Sequence, residues 1–242
     1  MSPSKPFYSP KSKSLHPRLL HEVYQTLFEH FGPQHWWPGE SPFEIMVGAI
    51  LTQNTAWTNV EKAIMNLKRE RVLTPKALFN LTPSRLARLI RPAGYFNIKA
   101  RRIRNFTAFY LCHFGGKIEK MRILRTAKLR QMLLDVNGIG RETADSILLY
   151  AALKPIFVID AYTRRIFARH RIAWRSCGRL RRHSPASLHE QDYESWRALF
   201  ETSLPRNLEL FNDFHAQIVA LGKNYCRPKN PVCKGCPLQK YL

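Results

Sequence analysis

The sequence predicts an all-helical protein. Three observations carry that reading: apolar residues recur every three or four positions along most of the chain, a single short run reads as a strand, and no repeat of fixed period appears. With 242 residues, 45% hydrophobic and 23% charged, the chain has globular composition and enough length to bury a core, so a disordered or low-complexity scaffold is excluded.

Taken in order, residues 1–16 are rich in Ser, Pro and Lys and read as a mobile basic tail. Leu20, Val23, Leu27 and Phe31 then step by helical intervals, as do Phe43, Met46, Val47 and Ile50, and next Val60, Ala63, Ile64 and Leu67. The same spacing recurs at Ile103, Phe106 and Tyr110, and at Leu129, Met132 and Leu133. It returns at Ala144, Ile147, Leu148 and Ala151, and at Phe211, Phe214, Ile218 and Leu221. Ile156 to Ile159 is the strand-like run; bounded by Pro155 and Asp160 and without a partner strand, it predicts a buried extended connector. Segment 171–190 holds Arg171, Arg175, Arg179, Arg181 and Arg182 without an apolar face, which predicts a basic surface connection.

Charge points to the partner. Thirty-nine Lys and Arg against 17 Asp and Glu give a formal charge of +22, so a polyanion is the expected target. A membrane face is the weaker choice, since no basic amphipathic helix with an exposed apolar side is evident. The chain has no apolar run of about 18 residues and no signal-like start, so an intracellular place is expected, the cytoplasm or nucleoid in a bacterium or archaeon. Five cysteines are an odd number, and Cys226, Cys233 and Cys236 crowd near the C-terminal end, which suits a metal or cluster set better than disulfides. Cys112 reads as a buried helical residue and Cys177 as a surface thiol.

Two segments carry candidate chemistry. In LLDVNGIGRETADSILLYA, residues 133–151, Gly138 and Gly140 flank Ile139 at the start of a helix. Glycine there permits positive φ and lets backbone N–H groups approach an anion, beside the unpaired donors of the helix N-terminus, while Ile139 plugs the core. A GxG pattern alone more often marks an ordinary tight helix–helix turn; its position before a helix and the basic charge of the chain shift the balance toward phosphate. Twenty residues on, Asp160 follows four apolar residues and precedes Arg164 and Arg165. A carboxylate so placed is partly desolvated and calls for a task or a partner, and it is also a good N-cap for a helix starting at Ala161. Both roles are compatible.

With these motifs in sequence, LTQNT (51–55), GYFNIKA (94–100), VNGIGRETA (136–144), VID (158–160), FHAQIVALGKNYC (214–226) and the cysteine cluster, the chain resembles the helix-hairpin-helix DNA glycosylases of the endonuclease III superfamily. The resemblance runs from about Trp36 to the C-terminal end. It implies a two-domain, all-α helix-hairpin-helix glycosylase fold with a central cleft. Residues 39–154 would form a helical barrel containing the hairpin at about 129–153, and 17–38 with 155–242 a second helical domain. A double-stranded DNA with a damaged base would be the partner and the protein a monomer.

By the same likeness Asp160 is the catalytic carboxylate, stabilising positive charge on the sugar as the base leaves and orienting the attacking water. Gln53, Tyr95, Lys99, Gly138, Ile139, Gly140 and Arg141 would face DNA, together with Arg227 and Lys229 of the loop beside the cysteines. Gln53 would fill the vacated space and Tyr95 wedge the opposite strand; a helix-end polar residue and a core aromatic are the plainer alternatives. Relatives that also cut the strand carry a lysine two residues after the second hairpin glycine, where this chain has Glu142. A carboxylate cannot form an imine, so the expected activity is hydrolysis without a lyase step, unless Lys99, Lys154 or Lys223 substitutes.

Trp36, Trp37 and Pro38 before the barrel, with Trp57 after LTQNT, are similar to the endonuclease III-like 3-methyladenine glycosylases, whose base pocket is aromatic. A cationic N3-alkylated adenine would gain about 0.5–2 kcal/mol from stacking on indole faces. Core filling is the alternative for these tryptophans. The implied function is base excision of an alkylated purine; the rivals are a glycosylase for oxidised or mismatched pyrimidines and a noncatalytic hairpin DNA-binding protein.

The cysteines follow C-x6-C-x2-C, and the family continues with x5-C, where this chain has Leu242. In the family four thiolates hold a [4Fe–4S] cluster. Four outcomes stay open: a cluster with a non-cysteine ligand such as the α-carboxylate of Leu242, a cluster missing one iron, zinc on three cysteines with His215, and an apo site.

Overall fold

The computed structural model describes residues 17–170, residue 172 and residues 193–242. The basic tail, Cys177 and all of segment 171–190 except Ile172 lie outside the described residues. Within them every regular element is a helix.

Twelve α-helices are described: α1 (Pro17–Phe31), α2 (Pro42–Leu51), α3 (Trp57–Arg69), α4 (Pro75–Asn80), α5 (Pro83–Leu89) and α6 (Phe96–Phe114) come first. They are followed by α7 (Ile118–Arg122), α8 (Thr126–Leu134), α9 (Arg141–Ser146), α10 (Ala161–Arg169), α11 (Tyr193–Ser203) and α12 (Leu208–Asn224). Short α4, α5 and α7 and the longer α11 were not foreseen from apolar spacing. Punctuation marks two of them: Thr74 and Thr82 cap the amides of Ala77 and Arg85, each followed by a proline at the first helical position. Ser41 with Pro42 begins α2 in the same way, its hydroxyl accepting from Glu44 N at 3.2 Å.

Apolar content on every side makes α2 the central helix, with Met46, Val47, Ile50 and Leu51 wholly buried. It packs on α3, α6 and α9. The amphipathic α3 buries Val60, Ala63, Ile64 and Leu67, and α6 lies over α4 and α5. After α9 the helix loosens into a single π turn, Ile147–Ala151, all of it buried against α2 and α12. On the far side α1 and α10 pack on α12, and α11 contacts α1. Gly222 of α12 is required by this packing: a Cβ there would stand 2.1 Å from the Tyr162 ring of α10.

The run 155–160 takes no regular structure and is buried from Ile156 to Asp160, as the sequence predicts. Its backbone is satisfied by side chains: Phe157 N donates to Glu201 Oε1 at 2.9 Å and Ile159 N to Tyr193 Oη at 3.3 Å. Phe157 stacks on Phe200 with ring centres 4.2 Å apart. The buried connector thus ends at Asp160, at the start of α10.

Candidate active site

Asp160 is the N-cap of α10. Its Oδ1 accepts from Thr163 N at 2.7 Å and from Thr163 Oγ1 at 2.8 Å. That leaves Oδ2, which lies 3.5 Å from Nε2 of His215 on α12 with no hydrogen bond formed between them. The other imidazole nitrogen, Nδ1, meets the Tyr150 hydroxyl at 2.5 Å. Burial raises the Asp160 pKa, but His215 and the two Thr163 hydrogen bonds outweigh it and hold the carboxyl below its ordinary value. A buried, oriented anion results.

It opens onto a cavity of about 1300 Å³ between the hairpin and α12, large enough for a nucleoside. Trp36, Trp37 and Trp57 line it, their rings grouped with centres 5.2–5.7 Å apart, and Trp37 also lies 5.1 Å from Tyr150. Lys223 Nζ stands 5.3 Å from the Trp36 ring centre, its pKa lowered by burial. Pro38 corrects the sequence reading: it is exposed and does not line the cavity.

The hairpin forms the opposite wall. Gly138 has φ +97°, and a Cβ there would meet Arg102 Cγ at 2.2 Å, so both conformation and space demand glycine. Gly140 differs from expectation: its φ is −87°, and nothing lies within 4 Å of a Cβ built there, so its bareness keeps the α9 entrance open rather than relieving strain. Ile139 is buried, and its N–H donates to Val136 O at 3.0 Å, which removes that amide from phosphate binding. Gln53 ties α2 to the turn, its Nε2 donating to Gly138 O at 3.1 Å and Thr143 Oγ1 at 2.9 Å while its Oε1 accepts from Arg102.

Tyr95, 69% exposed at φ +46°, holds a large ring in water at the start of α6. Arg141 Nε is 3.5 Å from Glu194. Arg227 and Lys229 are exposed.

Three further assignments change. Lys99, expected against DNA, is buried; its ammonium donates to Leu51 O and Ala93 O at 2.8 Å each and to Thr55 Oγ1 at 2.5 Å, tying the end of α2 to the turn before α6. Burial lowers its pKa to about 8. Cys112 is exposed, not buried. His215 belongs to the Asp160 group rather than to the cysteines.

Glu142, which the sequence singles out only as a missing lysine, lines the same cavity as Asp160. Water reaches it along the cleft while protein surrounds its other sides. Burial and then the Asp160 charge push its pKa up to about 7, against smaller opposing effects of His215 and Arg164.

Cys226 and Cys236 are buried and Cys233 exposed, with Arg169 reaching Cys226 Sγ at 3.6 Å. Burial, then the neighbouring Cys226 and Cys233, raise the Cys236 pKa, so the three thiols share one neighbourhood. Among the described residues, however, no three His, Cys, Asp or Glu side chains converge as a metal group, and the fourth family position is the apolar, exposed Leu242. The donors are of the right kind, but this arrangement does not fit a [4Fe–4S] cluster.

A helical protein with a glycine hairpin facing a capped aspartate across a nucleoside-sized cleft has the architecture of the helix-hairpin-helix DNA glycosylases. The chain belongs to the HhH-GPD superfamily of base excision DNA repair proteins, whose family model matches residues 47–185. It is 41% identical, over 92% of its length and 95% of the relative's, to a Methanocaldococcus jannaschii protein whose provisional name is DNA repair glycosylase. It is also 26% identical to endonuclease III of Thermotoga maritima, over 92% of each chain.

Among solved structures, H. pylori 3-methyladenine DNA glycosylase bound to 1,N6-ethenoadenine aligns with TM-score 0.64 and 28% identity, covering 84% of this chain and 97% of that one. An endonuclease III–DNA complex aligns with TM-score 0.74 at 19% identity, covering 94% and 95%, and shares the fold. The chain is thus a DNA glycosylase of this family. No helix among the described residues is long and apolar enough to cross a membrane.

Proposed function

We propose that this glycosylase hydrolyses the N-glycosidic bond of a damaged base flipped from double-stranded DNA, an alkylated purine such as 3-methyladenine, and leaves an abasic site without cutting the strand. The observation that carries the reading is the Asp160 carboxylate, held ionised at the edge of a cavity walled by three tryptophans. A base swung into that cavity stacks on indole while its sugar C1′ meets the anion, and the developing oxocarbenium charge is stabilised where water competes little. Lys223 already occupies the Trp36 face, so Trp37 and Trp57 supply the contact with a cationic base. Glu142 stands where a lyase lysine would be needed. The charge of +22 and the complexes formed by structural relatives support DNA as partner.

The test is incubation with duplexes carrying 3-methyladenine, 7-methylguanine, uracil, thymine glycol or a G·T mismatch, scoring free base and strand breaks before and after alkali. Alkylpurine release with breaks only after alkali is the expected pattern. Asp160→Asn abolishes release by all substrates while DNA affinity holds or rises slightly from the lost repulsion; equal turnover by variant and wild type rejects the mechanism.

Lys223 sustains a second reading. Unlike Lys99, and unlike Lys154, whose amine donates to Arg122 O, it lines the cavity with a lowered pKa, which are the conditions for a Schiff-base amine. Borohydride trapping decides: a covalent DNA complex that disappears in Lys223→Met would establish a lyase. Iron content and absorbance at about 400 nm in the as-purified protein report separately on the three thiols, through which no proposed step passes.

A further inference from the structure

We propose that Glu142 is a second catalytic residue, the acid that protonates a neutral purine as its glycosidic bond breaks. The inference rests on the glycosylase reading above and extends its substrate class from cationic alkylpurines to uncharged purine lesions.

Geometry comes first. Glu142 leaves the hairpin one residue into α9 and lines the cavity that Asp160 also lines from the N-terminus of α10, so two carboxyl groups, near enough for the Asp160 charge to act on Glu142, address one compartment. No hydrogen bond or ion pair engages the Glu142 carboxyl among the described residues, whereas Asp160 Oδ1 accepts two. Asp160 is therefore pinned as an anion, and Glu142 is the uncommitted member. The charged or titratable groups facing it are Asp160 and Arg164 on α10, His215 on α12 and Tyr193 on α11, beside Arg141 on its own helix, which lies 3.5 Å from Glu194. Their balance leaves Glu142 with a pKa of about 7, so a large share is protonated at neutral pH. Two carboxyl groups with affinities for the proton pushed apart are how one site comes to hold both an acid and an anion.

The chemistry balances. As the C1′–N9 bond breaks, its electron pair goes to the purine; the Glu142 proton moves to a purine ring nitrogen, and the base departs neutral. Asp160 offsets the positive sugar. Water then adds to C1′ and gives its proton to the Glu142 carboxylate, which restores the acid. A cationic base such as 7-methylguanine becomes neutral on taking the electron pair and needs no proton.

Single-turnover base release from duplexes carrying 1,N6-ethenoadenine or 7-methylguanine tests this. In Glu142→Gln the rate on ethenoadenine falls by about 100-fold or more, and the fall exceeds that on 7-methylguanine by a similar factor. In the wild type the ethenoadenine rate declines above pH of about 7 with a slope near −1 in log units, while the 7-methylguanine rate stays level across that range. Equal losses on both substrates, an ethenoadenine profile level above neutrality, or release of cationic bases alone would each overturn the role of Glu142 and leave the glycosylase reading standing. Release of no base by the wild type would overturn both.

Discussion

Glu142 and Lys99 both have shifted pKa values, Lys99 buried in the scaffold and Glu142 still reached by water along the cleft, and they differ in what compensates them. Three oxygens satisfy the Lys99 ammonium, so its charge is part of the scaffold. Glu142 has no such partner, and its ionisation costs stability. Its folded value of about 7 lies above the ordinary 4.5, so the folded chain holds more proton between those values, and stability falls as pH rises across that window. Glu142→Gln removes the titration. The thermal midpoint of the variant is expected above that of wild type at pH of about 8, with the gap closing as pH approaches 4.5. Scanning calorimetry across that range checks this, and a gap independent of pH would contradict it. Asp160 was legible in the sequence because a carboxylate after four apolar residues is conspicuous; the raised Glu142 was not, because its environment comes from α10 and α12, far along the chain.

The hairpin is the element expected to position DNA, and its two glycines differ in what they do for the fold. Gly138→Ala must force a side chain to φ +97° and into Arg102, which also holds Gln53, so a loss of about 1–3 kcal/mol is expected together with weaker DNA binding. Gly140→Ala meets open space at an ordinary φ, so its denaturation midpoint stays near wild type and only affinity for DNA falls. Urea denaturation with a DNA-binding titration on each variant separates the two, and equal destabilisation would refute the distinction. The spacing G-x-G marks the turn in the sequence but does not say which glycine is strained, since that depends on where α6 places Arg102. Apolar periodicity likewise located most of the longer helices, though not α11, whereas α4, α5 and α7 span only five to seven residues and are too short for a face to repeat.

Across the whole molecule, a charged network joins α8 and α9 to α11. Arg130 of α8 holds Asp145 of α9 through Nε–Oδ1 at 2.7 Å and Glu194 of α11 at 2.7 Å, and Arg197 pairs with Glu194 at 2.8 Å. Asp145 is fully buried, so Asp145→Asn leaves Arg130 with one partner and a loss of about 3 kcal/mol is expected by chemical denaturation; a change under about 0.5 kcal/mol would count against a structural role for the network. Because α8, α9 and α11 frame the cavity through the hairpin and Tyr193, base release should fall in the same variant.

Composition and local pattern were enough to determine the helical class, the polyanion-seeking charge, the hairpin, the aspartate and the family likeness, because each is written in residues close along the chain. What only the tertiary structure decided is which side chains share water and which share charge: Lys99 is withdrawn into the scaffold, Pro38 stays outside, His215 joins Asp160, and Glu142 enters the cleft. Desolvation and Coulomb attraction act through space, and α2, α9, α10 and α12 converge on one cavity from positions more than a hundred residues apart.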